Sequence, residues 1–189
     1  MKKIVFALIT AAAAMSAAQA QQAPRGYVGG SVVTADRYDA VPGAASSSEG
    51  KYKAGAKLFG GYEFNQTWGV EAGYTDFGKK NQDYTLNGAN GRAKTEGNST
   101  YLAAKATAPL NEKVSIYGKA GVAHNKRELR ATDAVLNRDV SKTEAYGAVG
   151  LQYNVNEQVA LTAEYERYGK KRDFGVKPDA WTVGARYSF

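Results

Sequence analysis

Ten ionisable side chains stand out because their spacing puts them on one face of their extended segments. They are Lys53, Lys57, Lys105, Lys119 and Arg186 against Glu63, Glu71, Glu144, Glu164 and Glu166. Five cations and five carboxylates on a face withdrawn from water must neutralise one another, because a lone buried charge costs several kcal/mol or more. Other chemistry is sparse. His124 is the sole histidine and cysteine is absent, so disulfides, thiolate sites and His/Cys metal clusters are excluded and no cofactor is implied. A hydrolytic role for His124 would need a serine and an acid. Asn125 and Lys126 offer no H-x-S spacing, and Glu144, the nearest acid by strand order, should face the other way. His124 therefore reads as an interfacial histidine rather than a catalytic one.

The elements that position these charges alternate with period two. In the final stretch Asp179–Phe189, the residues Trp181, Val183, Ala185, Tyr187 and Phe189 share one face, and Ala180, Thr182, Gly184, Arg186 and Ser188 the other. The same alternation runs through 51–64, 68–75, 101–110, 114–123, 144–155 and 159–166, and less decisively through 26–35, whose facing the pattern leaves open. The spacing thus predicts eight strands. Short turns at 65–67, 111–113 and 156–158 alternate with long loops at 36–50, 78–96, 125–141 and 169–178. All the long connections fall on one side, as in an all-β, eight-stranded antiparallel up-and-down transmembrane β-barrel.

The apolar face carries its aromatics at the strand ends. Tyr62, Phe64, Trp68, Tyr153, Tyr187 and Phe189 lie at the turn end, and Tyr74, Tyr165 and Trp181 at the loop end. Two girdles with Val, Leu, Ala and Gly between them imply a lipid-facing exterior, and the charged face then lines a narrow lumen. A soluble ligand-binding barrel would reverse this facing. Composition agrees, with 21 Gly, 13 Tyr, 4 Pro and a mean hydropathy of −0.47. The first twenty residues read as a separate secretory signal. Lys2 and Lys3 precede an apolar run, and Ala18-Gln19-Ala20 offers a cleavage site. Cleavage there leaves a single barrel domain over 21–189 and lowers the formal charge from +7 to +5, because it removes two lysines and no acid.

The loops are basic: Lys79, Lys80, Arg92, Lys94, Lys126, Arg127, Arg130, Arg138, Lys142 and Lys177, with Arg167, Lys170, Lys171 and Arg172 beside the Trp181 girdle. At the outer rim such cations suit lipopolysaccharide phosphates or sulfated host polymers. Nucleic acid is not an expected partner, since no aromatic platform interleaves them.

Trp68-Gly-Val-Glu-Ala-Gly-Tyr74, Leu102-Ala-Ala-Lys105, Ser115-Ile-Tyr-Gly-Lys-Ala-Gly121, Val149-Gly-Leu-Gln-Tyr153 and the ending Tyr187-Ser-Phe189 resemble the N-terminal barrel of OmpA-type proteins. The resemblance implies a monomeric outer-membrane barrel. Trp181, Tyr187 and Phe189 would serve as the signal read by the barrel assembly machinery. The periplasmic peptidoglycan-binding domain of OmpA has no counterpart in this stretch, so no tethering role is implied. That family has a lumenal ion-pair gate, whose first pair corresponds to Glu71 and Lys105. The other two gate positions fall on Gln152 and Thr162, with Glu164 and Arg186 near enough to substitute. A static Glu71–Lys105 bridge and a contact of Arg186 with Glu164 or its neighbours are the resulting expectations. The functions that follow are envelope integrity and surface interaction, with a weak small-solute channel and a lipid A-modifying enzyme as alternatives. A compact barrel of this kind should migrate anomalously on SDS gels until boiled. A soluble periplasmic protein without that mobility shift would overturn the reading.

Overall fold

The computed structural model describes residues 24–38, 54–86, 89–131, 138–169 and 175–189. They form β1 (Arg25–Tyr38), β2 (Gly55–Glu63), β3 (Trp68–Leu86), β4 (Ala89–Pro109), β5 (Val114–Ala131), β6 (Arg138–Asn154), β7 (Val159–Tyr168) and β8 (Gly175–Ser188). Each strand pairs antiparallel with its neighbour in sequence, and β8 returns to β1, so the sheet closes with no free edge. The signal segment and Lys53 lie outside the described residues.

The closure is steeply staggered. Registered Cα partners run Arg25, Glu63, Gly69, Lys105, Lys119, Ala148, Glu166, Ala180 and back to Ala35. One circuit therefore climbs 35 − 25 = 10 residues along β1. Strands in such a barrel are strongly tilted, and side chains at one height come from residues that are not registered partners.

Alternation places Val28, Val32, Leu58, Val70, Leu102, Val122, Val149, Leu161 and Val183 on the outer surface. The aromatics Tyr62, Phe64, Trp68, Tyr153, Tyr187 and Phe189 ring the turn end, with Tyr74 and Trp181 at the loop end. Tyr165 packs against Trp181 with ring centroids 5.0 Å apart. The facing of β1, open in the sequence, is now defined: Tyr27, Ser31 and Val33 point inward and Val28 and Val32 outward.

The three short turns share one chemistry. Asn65, Asn111 and Asn156 each accept the main-chain N–H groups two and three residues on, at 2.7–2.9 Å. The side chain substitutes for a main-chain turn partner, which is why Asn occupies this position each time. The connections at the other end depart from the expected long loops. β3 and β4 continue as a paired ribbon from Lys79↔Glu96 to Leu86↔Ala89, and β5 and β6 remain paired to Leu129↔Arg138. Asn, Gly and Lys in these stretches signal turns by composition, yet the ladder satisfies their main-chain groups. A one-residue bulge separates ribbon from wall, where Gly78 adopts φ 73° and its N–H bonds Asp76 Oδ1.

A charge on the outer wall should be costly if this surface meets lipid. Val149→Arg, near the middle of the wall, is expected to destabilise the barrel in lipid vesicles by about 2–4 kcal/mol, read from denaturant titration. A change within error in vesicles would contradict the facing.

Candidate functional site

The lumen is crossed by charged side chains withdrawn from water. On the loop side, Lys57 Nζ lies 2.9 Å from Glu164 and 2.5 Å from Glu166. Lys119 Nζ lies 2.6 Å from Glu71 and 2.7 Å from Glu164. These five side chains are at most 1% exposed. Two ammonium groups thus link three carboxylates into a chain from β3 to β7. Toward the turns, Glu63 gathers three cations: Arg186 by two contacts at 2.6 and 3.0 Å, Lys105 at 3.1 Å and Arg25 at 3.1 Å.

Phenols supply the remaining donors. Glu71 accepts from Tyr27 (2.8 Å) and Tyr101 (2.5 Å), Glu164 from Tyr117 (2.7 Å), and Glu166 from Tyr146 (2.5 Å) and Tyr168 (2.9 Å). Carboxylates with several charge-assisted bonds recover much of what they lose on leaving water. The rings also lie under the cations. Lys105 Nζ is 4.9 Å from the Tyr27 centroid and 4.8 Å from that of Tyr117, and Arg186 Cζ is 4.5 Å from Tyr27.

Glycines make room for these rings. Tyr27, Phe59, Tyr101 and Tyr117 stand in register opposite Gly61, Gly29, Gly73 and Gly150. A Cβ at any of the four glycines would overlap the opposing ring. Each ring can lie across its neighbour strand, and Tyr27, Tyr101 and Tyr117 extend their hydroxyls to the lumenal carboxylates.

Several expectations are corrected. Glu71 bonds Lys119 rather than Lys105, and Arg186 bonds Glu63 rather than Glu164. The stagger is the reason: motif position suggests partners by order along the strands, whereas contact across the lumen depends on height. Lys105 and Lys119 are themselves registered Cα partners, yet each turns to different carboxylates. Glu144 sits higher, beside Asn125, whose amide donates to it at 3.3 Å. Gln152 and Thr162 are buried and in register with each other.

Arg25 and the lumenal tyrosines escaped the sequence reading. Period two places Tyr101, Tyr117 and Tyr146 opposite the lipid-facing residues, which is the sequence signal for lumenal phenols. At the rim, Arg167 is exposed and lies 3.6 Å from Asp179. Lys170, Lys171 and Arg172 lie outside the described residues. Trp181, Tyr187 and Phe189 project outward, the last with its N–H on the Gly26 carbonyl at 3.0 Å.

His124 has an unexpected setting. The register brings Thr143 to its Nδ1 at 2.9 Å and Ser141 to its Nε2 at 2.8 Å. Both ring nitrogens are thus taken by hydroxyls, while Glu144 is engaged with the inward Asn125. Among the described contacts no carboxylate orients the imidazole, which a Ser–His hydrolase requires.

A closed eight-stranded barrel with a lipid-facing wall and an ion-paired lumen defines an integral outer-membrane protein. The chain belongs to the outer membrane protein beta-barrel domain family, whose model matches residues 4–189. It is 32% identical over 130 residues to the attachment invasion locus protein of Yersinia pseudotuberculosis, covering 68% of this chain and 67% of that one. It is 28% identical over 203 residues to outer membrane protein A of Shigella flexneri, covering the whole chain but 56% of the relative, so it spans about half the length of that protein. Among solved structures, Yersinia pestis Ail in complex with the heparin analogue sucrose octasulfate superposes with a TM-score of 0.59 at 23% identity, over 89% of this chain and all of that one. The N-terminal barrel of Pseudomonas aeruginosa OprF gives 0.56 at 18% identity, over 90% of this chain and all of that one. None of these descriptions names an enzyme.

Breaking the network at its central cation should strand two carboxylates. Lys119→Met is expected to lower stability by about 3–5 kcal/mol, measured by the denaturant midpoint of the folded barrel. Lys113→Met on the exposed turn is expected to change it by less than about 0.5 kcal/mol. Equal effects would show that the buried pairs contribute nothing.

Proposed function

We propose that this barrel is a structural and surface-interaction component of the outer membrane, whose loop-end cations bind polyanions: lipopolysaccharide phosphates or sulfated host polymers. The observation that carries the reading is the exposed Arg167 beside the Trp181 girdle, continuing in sequence into Lys170-Lys171-Arg172. A guanidinium beside an aromatic belt stands at the height of lipid phosphates. The 32% identical relative is described as an attachment protein, and the solved Ail complex holds a heparin analogue. Both support the same chemistry for this rim.

The buried pairs support a plugged lumen over a small-solute channel. An ion crossing it would have to separate Lys57, Lys119 and their three carboxylates, each held by at least two polar contacts. The proposal includes a monomeric barrel, since one closed sheet satisfies its own edges.

Two measurements test this. Replacing Arg167, Lys170, Lys171 and Arg172 together by Ala is expected to weaken heparin and lipopolysaccharide binding by about tenfold or more at low salt, with a shallower salt dependence than the parent. Unchanged binding would reject the rim as the site. In planar bilayers the parent is expected to be silent, and steady conductance would favour the channel reading.

A further inference from the structure

His124 has a built setting that neither the ion-paired lumen nor the Arg167 rim uses, and it stands where the outer wall changes character. On β4, β5 and β6 the outward positions step from Leu102, Val122 and Ala145 to Thr100, His124 and Thr143, and then to Asn98, Lys126 and Ser141. Register places Thr100 and Thr143 on either side of His124, and Asn98 and Ser141 on either side of Lys126. Thr100, Lys126, Ser141 and Thr143 are exposed and His124 is half-buried. An apolar wall thus gives way within one step to a patch of hydroxyls, an imidazole and an ammonium group.

The imidazole orders two of those hydroxyls. Its Nδ1 lies 2.9 Å from Thr143 Oγ1 and its Nε2 lies 2.8 Å from Ser141 Oγ. A neutral ring carries one N–H, so it donates to one hydroxyl and accepts from the other. Only the hydroxyl that accepts keeps its own O–H for an incoming group. A charged ring donates to both, which frees both O–H groups and adds a positive charge. Lys126 is a fixed cation at the next outward position and forms no ion pair among the described residues. The outward neighbours on β4 and β6 (Asn98, Thr100, Ser141 and Thr143) do not titrate. Asp76, on β3 and in register with Asn98, spends an oxygen on the Gly78 N–H. Lys142 and Glu144 alternate to the other side of β6, where Glu144 accepts from Asn125.

We propose that this patch binds the phosphate of a membrane lipid, with Lys126 and the Ser141 and Thr143 hydroxyls on the phosphate oxygens and His124 setting how many of those hydroxyls donate. Hydroxyl donors beside an ammonium group suit an anionic oxygen cluster. A lipid is the occupant rather than a free phosphate because Leu102 and Val122 continue the patch straight into the lipid-facing wall, where the attached chains lie. Binding tightens on acidification, since protonating the ring adds both a charge and a donor. The site shares its ligand chemistry with the Arg167 rim and none of its residues.

The untagged full barrel, folded in micelles of a non-ionic maltoside detergent, is titrated at about pH 5.5 and about pH 8 with phosphatidylglycerol, whose phosphodiester keeps one negative charge at both. Dimethyl phosphate and diacylglycerol are titrated in parallel, as the headgroup chemistry alone and the chains alone. The readout is the NMR shift of the imidazole C–H signals, unambiguous because His124 is the sole histidine. Phosphatidylglycerol is expected to give a saturable shift, with an apparent Kd about threefold or more lower at the acidic pH. Dimethyl phosphate is expected to bind about tenfold or more weakly than the lipid. Lys126→Gln is expected to weaken lipid binding about fivefold at both pH values. Ser141→Ala with Thr143→Val is expected to weaken it most at the acidic pH, and Lys113→Gln at the turn end to leave it unchanged. These positions are exposed, so the variants keep the heat-modifiable fold. Four results would overturn the proposal: an equal shift with diacylglycerol, dimethyl phosphate binding as tightly as the lipid, equal affinity at the two pH values, or unchanged binding in the Lys126 variant. Lipid held at the Arg167 rim leaves the imidazole signal in place, so these results count against this patch alone.

Discussion

A charge inside a narrow closed barrel must find its counter-charge there, because bulk water is excluded and the wall offers only main chain already committed to its ladder. Much of the interior follows from that constraint. Carboxylates on β2, β3 and β7 are met by cations on β2, β4, β5 and β8. Their remaining lone pairs are met by phenols, and the phenols lie across glycines on adjoining strands. The high glycine content of the chain is in part a steric condition for its electrostatics. A barrel filled with aliphatic side chains would not need it.

The fold was readable because one property repeats: each strand has a lipid side and a lumen side, and period two announces both. Turn positions were readable for the same reason, with Asn recurring at the start of each short connection. The pairing inside was less accessible. Glu71 and Lys105 share a face and a motif, yet the ten-residue climb of the register sends Lys105 down to Glu63 and brings Lys119 up to Glu71. Only the closed geometry contains that offset. The setting of His124 was hidden likewise, since Ser141 and Thr143 are remote in sequence and adjacent only across the β5–β6 ladder.

The two ends of the barrel differ in kind. At the loop end, Arg167 is exposed beside Asp179, where water and salt screen its charge. At the turn end, Arg186 and Lys105 are inside, held by one shared carboxylate and by tyrosine faces.

The paired extension of β3 and β4 beyond the bulge at Gly78 bears on how such a surface meets its targets. A ladder that runs unbroken from Lys79↔Glu96 to Leu86↔Ala89 has already given up most of its main-chain freedom before any encounter. A partner docking on it would order side chains but little backbone, so less of the attraction would be consumed by immobilisation. The bulge at its base lets the ribbon change direction relative to the wall without breaking the ladder. The projecting part then behaves as a stiff arm on a fixed mount, and variation in its tip can alter what is touched while leaving the membrane-embedded ring unchanged.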